Sequence, residues 1–256
     1  MDVKSLRLAG IADSSTLDYI GKVSAVIYLC GCPYRCPWCQ NPDLVEQREE
    51  VCKTLTIDSL VKALKDDFLI SAVSVTGGEP LMQPEVLDLL KEIKKQTDLA
   101  LKIDTNGGYP ERLAQALPYL DYFSMDIKAP LDERYGKAIG LPDKWEEAVK
   151  NIRKCLSLLK DWDKPKEART TIIPGLTDKK EEIAKIAEVV KETGFDYYTL
   201  QQFRSGATLD PKYNKTKSPN TSLMNELGSA AKEILPDATV KIVTQQKGFE
   251  EIKSHS

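Results

Sequence analysis

Histidine is nearly absent from this 256-residue chain: the only one is His255, next to the C-terminus. That argues against a Ser-His-Asp triad, a Cys-His pair or a His-rich zinc site as the carrier of its chemistry. No apolar run approaches the length of about 18 residues that a spanning helix needs. The N-terminal "MDVKSLRLAG" lacks the apolar stretch of a signal peptide. A membrane role is therefore not expected, and a cytoplasmic location is, where thiols stay reduced. A strong excess of one charge is missing too. With 36 basic and 39 acidic residues the net charge is −3, so bulk charge does not point to nucleic acid as a partner. Cysteine is scarce overall, at six, too few for a second cysteine cluster. What remains for chemistry is Cys, carboxylates, Lys, Arg or a bound cofactor.

What is present is a soluble, globular composition, 41% hydrophobic and 29% charged. There is no internal repeat, low-complexity tract or obvious linker, so a single domain over 1–256 is expected. Short β-branched runs predict strands at Val23–Cys30, Ala72–Thr76, Leu99–Thr105, Asp121–Ile127, Ala168–Ile173 and Asp196–Phe203. Helical periodicity falls between them. Ile57, Leu60, Val61 and Leu64 share one face, as do Val86, Leu89, Leu90 and Ile93. A short helix is expected at Pro110–Leu117 and a longer one at Trp145–Lys160. In "DKKEEIAKIAEVVKETG" Asp178 and Glu181 have capping-box spacing, and Gly194 ends the helix. A helix over Ser222–Ile234 and a strand over Thr239–Val243 close the chain. Such alternation predicts an α/β fold with parallel strands. Periodicity alone does not separate a barrel from a doubly wound layer.

The strands lead into "CGCPYRCPWC", "TGGEP", "DTNGG", "DIKAP", "RTTIIPG" and "QQFRSG". In parallel α/β folds those ends gather on one side, and in barrels that side carries the active site. The unusual residues are thus expected on one rim.

Four of the six cysteines lie between Cys30 and Cys39. Cys32, Cys36 and Cys39 form C-x3-C-x2-C, and their thiolates suit an iron–sulfur cluster, zinc or copper(I). Three ligands leave one coordination position open, as a reactive centre needs. Pro33 and Pro37 stiffen the loop. Cys30 ends an apolar strand and reads as a packed thiol, with fourth-ligand duty as the alternative. Cys52 and Cys155 have no partner spacing and read as structural.

"CPYRCPWC", followed one βα unit later by "TGGEP", resembles the signature of the radical S-adenosylmethionine (SAM) enzymes. The resemblance runs from about Val3 to Ile242. It is strongest to the activating enzymes of glycyl radical enzymes, and among them to the activating protein of anaerobic ribonucleoside-triphosphate reductase. "STLDYIGKVSAVIYLCGCPYRCPWCQNPDLV", "LKIDTNG", "FSMDIKAP" and "LQQFRSGATLDP" carry that likeness. It implies a partial (β/α)6 TIM-like barrel with a core over about 20–205. A loop over 203–222 and a C-terminal helix and strand over 222–243 would follow.

The same resemblance implies one 4Fe–4S cluster on Cys32, Cys36 and Cys39, with SAM on its open iron. Electron transfer into the sulfonium would release methionine and a 5′-deoxyadenosyl radical. Gly77, Gly78 and Glu79 would meet the methionine moiety. Trp38 and Gln40 would lie near the adenine, Gln40 standing where activating enzymes often carry His. Asp104, Asn106, Asp126, Lys128 and Arg169 would reach SAM from neighbouring strand ends, and Gln202, at the end of the sixth, is counted among the SAM contacts with them. Asp104, Thr105, Asp126 and the carbonyl of Ser124 match the positions that hold a monovalent cation in similar enzymes. The implied partners are a glycyl radical protein, foremost anaerobic ribonucleotide reductase, and a low-potential electron donor such as flavodoxin or ferredoxin. Two other readings stay open: a radical SAM enzyme acting on RNA or a small metabolite, and a binding module stapled by structural zinc. The segment 203–222, without periodicity, is expected to be a lid, a binding loop or solvated disorder.

Overall fold

The computed structural model describes residues 4–253, so His255 lies outside the described residues. Two compact units emerge. One comprises the chain up to Pro33 together with Asn41–Ser124, the other Tyr34–Gln40 together with the chain from Met125 on.

The first unit holds β1 (Ser5–Ser15), β2 (Ser24–Leu29), α1 (Pro42–Val45), β3 (Lys53–Thr56), α2 (Ile57–Asp66), β4 (Ala72–Gly77), α3 (Val86–Gln96), β5 (Ala100–Thr105) and α4 (Pro110–Ala116). Its strand order is β3-β1-β2-β4-β5. β2, β4 and β5 are parallel neighbours. Most of their residues are buried, because strands covered by helices on one face and packed on the other must be apolar on both. α2 and α3 bury the two faces expected from periodicity, Ile57, Leu60, Val61 and Leu64, and Val86, Leu89, Leu90 and Ile93. Each such side chain, fully buried, contributes about 1.5–3 kcal/mol. Thr56 caps α2 by accepting from the Ser59 N–H at 3.2 Å.

The parallel register sets what meets at the carboxyl ends. Leu29 pairs with Gly77 across β2 and β4, and Val75 with Ile103 across β4 and β5. The cysteine loop, "TGGEP" and "DTNG" therefore leave the sheet side by side.

The unit boundary falls inside β6 (Tyr122–Asp126). The second unit continues with α5 (Arg134–Ala138), α6 (Trp145–Lys160), β7 (Lys166–Ile172), α7 (Lys180–Thr193), β8 (Tyr197–Gln202), α8 (Thr221–Ile234), β9 (Thr239–Thr244) and β10 (Gly248–Glu251). β7, β8 and β9 are parallel neighbours, with Ile172 level with Gln202. α6, α7 and α8 lay their apolar faces inward.

Several expectations need correction. β1, β3 and β10 were not foreseen, and all three pair antiparallel. β1 and β10 sit at strand positions that hydrophobic alternation does not mark, and β3 is four mostly exposed residues. The cap of α7 is one residue later than Asp178–Glu181 suggested: the Lys179 N–H donates to Glu182 Oε2 at 2.9 Å. The segment 203–222 is not solvated disorder. It contains a 3-10 turn over Pro211–Lys215 and is tied down at several points. No helix among the described residues is long and apolar enough to cross a membrane.

Candidate active site

In the first unit two glycines hold the "TGGE" backbone against the cysteine loop. Gly78 donates to the Leu29 carbonyl at 2.8 Å, and the Glu79 N–H to the Gly31 carbonyl at 2.8 Å. A β-carbon on Gly77 would stand 2.2 Å from the Leu29 oxygen, and one on Gly78 2.2 Å from the Gly31 oxygen. No real side chain tolerates such contacts, so the absence of a Cβ is what permits the approach. Gln83 adds a bond from its amide to the Cys30 carbonyl at 2.9 Å. Cys32 follows directly, with Asn106 Nδ2 3.5 Å from its sulfur.

Glu79 is fully buried and its carboxylate is well supplied with donors. Oε1 accepts from the Leu81 N–H at 3.0 Å and the Thr105 hydroxyl at 2.7 Å. Oε2 accepts from the Asn106 N–H at 2.7 Å. It thereby locks the "TGGEP" turn to the "DTNG" turn, a bracing role that sequence reasoning missed. Asp104 lies beside a second residue missed from the sequence, Lys102, whose ammonium is 2.8 Å from Oδ1. The clue was a lysine inside "LALKID", at an inward position of an apolar strand.

In the second unit the rest of the cysteine loop is anchored by three backbone hydrogen bonds. The Arg35 N–H donates to the Ile139 carbonyl at 2.8 Å, the Leu209 N–H to the Cys39 carbonyl at 3.0 Å and the Asp210 N–H to the Pro37 carbonyl at 2.9 Å. Trp38 is buried and meets the Tyr213 ring edge-on at 6.3 Å, while Phe203 meets the same ring at 6.1 Å. Gln40 is exposed and donates to the Arg204 carbonyl at 2.7 Å.

Asp126, Lys128 and Arg169 form a charged group at the ends of β6 and β7. Asp126 lies 3.1 Å from Lys128 and 3.4 Å from Arg169. Burial pushes the Asp126 carboxyl up, but these two cations outweigh it and hold it below the usual carboxylate range. Burial pulls the Lys128 ammonium down, and Asp126, then Cys36 and Tyr135, outweigh that, so it stays well above the ordinary lysine range. Burial pushes the Cys36 thiol up to about 11, against the pull of Lys128. Gln202 directs its amide elsewhere: Nε2 donates to the Pro219 carbonyl at 2.6 Å and Oε1 accepts from the Gln245 N–H at 2.8 Å. The structure assigns it to bracing the C-terminal segment.

Cys30 and Cys52 are joined by a disulfide, in a small apolar cluster with Leu44. This corrects three expectations. Cys30 is neither a free packed thiol nor a fourth ligand, Cys52 has a partner, and not every thiol is reduced. Spacing could not reveal the pair, because β1 and β3 bring the two residues together through strands that were not foreseen. Cys32, Cys36, Cys39 and Cys155 are outside any disulfide, with Cys155 buried in α6 as a structural residue.

By its chemistry the donor set suits an iron–sulfur cluster: three thiols outside any disulfide follow one another in a loop that Pro33 and Pro37 stiffen, and the Asn106 amide donor faces the Cys32 sulfur. Among the described residues no group of three His, Cys, Asp or Glu is gathered as a metal site.

Comparisons with known proteins agree. Residues 26–190 match the radical SAM superfamily. A Methanocaldococcus jannaschii protein, provisionally named a glycyl-radical enzyme activating enzyme, is 31% identical over 239 residues, 92% of this chain and 96% of its own. The pyruvate formate-lyase-activating enzyme of Clostridium pasteurianum is 35% identical over 195 residues, 72% of this chain and 76% of its own. Among solved structures, a pyruvate-formate lyase-activating enzyme domain from Bacteroides vulgatus shares the fold, with a TM-score of 0.51 and 21% identity over 66% of this chain and 98% of that one. A radical SAM methyltransferase from Sphaerobacter thermophilus does so with a TM-score of 0.66 and 14% identity over 88% of this chain and 67% of that one. The fold is the α/β, mostly parallel, unclosed sheet of the partial barrel. The structural-zinc module is thereby set aside. The chain belongs to the radical SAM superfamily, and within it to the activating enzymes of glycyl radical enzymes.

Proposed function

We propose that this enzyme installs the glycyl radical of an anaerobic ribonucleoside-triphosphate reductase, in the cytoplasm, with flavodoxin or ferredoxin as electron donor. Cys32, Cys36 and Cys39 would hold one 4Fe–4S cluster, which with SAM bound supplies the reductive cleavage to methionine and a 5′-deoxyadenosyl radical that takes hydrogen from the partner's glycine Cα.

The chain's own residues orient and shield. Gly77 and Gly78 present bare backbone to the methionine end of SAM, and Glu79 keeps that turn in place. Lys128, held charged beside Asp126, is a compact cation for the methionine carboxylate, with Arg169 behind it. Trp38 and Gln40 flank the adenine. Asn106 donates toward the Cys32 sulfur, which favours the charge of a ligating thiolate.

The observation that carries the reductase reading concerns "LQQFRSGATLDP", one of the four stretches that carry the likeness to the reductase-activating proteins. Its backbone is stitched to the cysteine loop through Leu209 and Asp210, which supports reading this stretch as part of the site. The test is anaerobic incubation with SAM, a reductant and either the reductase or pyruvate formate-lyase, read by electron paramagnetic resonance. A glycyl doublet with the reductase supports the proposal. A doublet with the lyase alone, or none despite 5′-deoxyadenosine release, overturns it.

A further inference from the structure

The resemblance to other activating enzymes implies a monovalent cation at Asp104, Thr105, the Ser124 carbonyl and Asp126. The side chains here do not fit that role, because each already has partners within its own unit. Asp104 faces the Lys102 ammonium at 2.8 Å, the two side chains being 5% and 2% exposed. The Thr105 hydroxyl donates to Glu79 Oε1 at 2.7 Å and accepts from the Gly107 N–H at 3.1 Å. Asp126 is flanked by Lys128 and Arg169.

We propose that Lys102 supplies, from within the chain, the positive charge that a metal cation would bring to Asp104. The two residues are two apart on β5, so strand alternation puts them on one face. Lysine is rarely buried without compensation, and this one is compensated on several sides. Its ammonium donates to the Asp18 carbonyl at 2.6 Å and lies 5.2 Å from the centre of the Tyr122 ring, an attractive placement for a cation. Tyr122 is itself backed by Tyr19 at 5.3 Å. The carboxylate and the ammonium neutralise each other, so a metal ion brought to Asp104 would meet a fixed like charge.

Lys102 is thus a positioning residue: it faces Asp104 with an opposite charge and orients it, and through it the "DTNG" turn that follows. SAM binding should then be independent of alkali cations. The inference rests on family membership and not on which protein is activated.

The experiment uses cluster-loaded enzyme and measures SAM affinity by calorimetry in sodium, potassium and tetramethylammonium chloride at equal ionic strength. Wild-type affinity is expected to vary by less than about twofold, whereas K102M should bind at least about tenfold more weakly in tetramethylammonium and recover when sodium or potassium is added. Thallium-205 resonance, reporting a potassium-like ion directly, should show no saturable site on the wild type. A wild type that needs sodium or potassium, or that binds thallium saturably, overturns the proposal. So does a K102M protein with native circular dichroism that binds SAM as the wild type does in all three salts. The wild-type measurements need no variant, so they decide the matter even if K102M does not fold.

Discussion

A β-carbon on Gly78 would stand 2.2 Å from the carbonyl oxygen of Gly31, and this proximity sets how "TGGEP" meets the cysteine loop. G78A must push the two backbones apart. We expect a loss of about 2–3 kcal/mol of stability, at the upper end of overpacking costs. Iron retained after reconstitution should fall as well. Urea unfolding of the metal-free protein and an iron-to-protein ratio measure the two effects.

Glu79 serves as a brace before any ligand arrives. Replacing it by alanine strands the Thr105 hydroxyl and two buried N–H groups. E79A should therefore destabilise the metal-free protein by at least about 3 kcal/mol, since each orphaned buried group costs about 1–3 kcal/mol. Denaturant titration checks this. An unchanged midpoint would show that the carboxylate acts on the cofactor alone.

The Cys30–Cys52 pair makes a counting prediction. Denaturation without reductant should leave four thiols open to alkylation, Cys32, Cys36, Cys39 and Cys155, and reduction should expose the other two. C52S should cost about 3 kcal/mol in non-reducing buffer, the expected value for opening a loop of this length. Iron binding should persist in C30S and be lost in C32S, C36S and C39S. Six alkylated thiols in the unreduced protein would refute the pairing.

The Asp126 group gives a pH signature. Its carboxyl titrates below the ordinary 3.8 when folded. Its contribution to stability is thus complete above 3.8 and is lost as pH falls through the folded value. Lys128 titrates well above 10.5 when folded, so its contribution is complete below 10.5 and is lost as pH rises through its own folded value. The gap in melting temperature between wild type and D126N should be level from about pH 5 to pH 9 and narrow in acid. Melting curves across that range test it. A gap that widens on acidification would contradict the ion pairing.

How far sequence carried depended on how local the cause was. The helix faces of α2 and α3 were legible because a period of 3.6 residues is written in neighbouring positions. The parallel core strands were legible because burial on both faces demands continuous apolar runs. β1 was not, since its eleven residues are mainly half-buried or exposed and show no clean alternation. Missing β1 and β3 hid the disulfide, which depends on strand pairing between residues 22 apart.

By itself, the sequence determined the α/β class and the family and marked three candidate cluster thiols, because spacing and residue type within short stretches carry those. Tertiary structure alone decided what each charged group at the site faces. Glu79 turned out to brace a turn, Gln202 to hold the C-terminal segment, and Lys102 to neutralise Asp104. Such partnerships join strands and loops far apart in the chain, and the free energy of a buried charge depends on whichever groups the fold brings within a few ångströms of it.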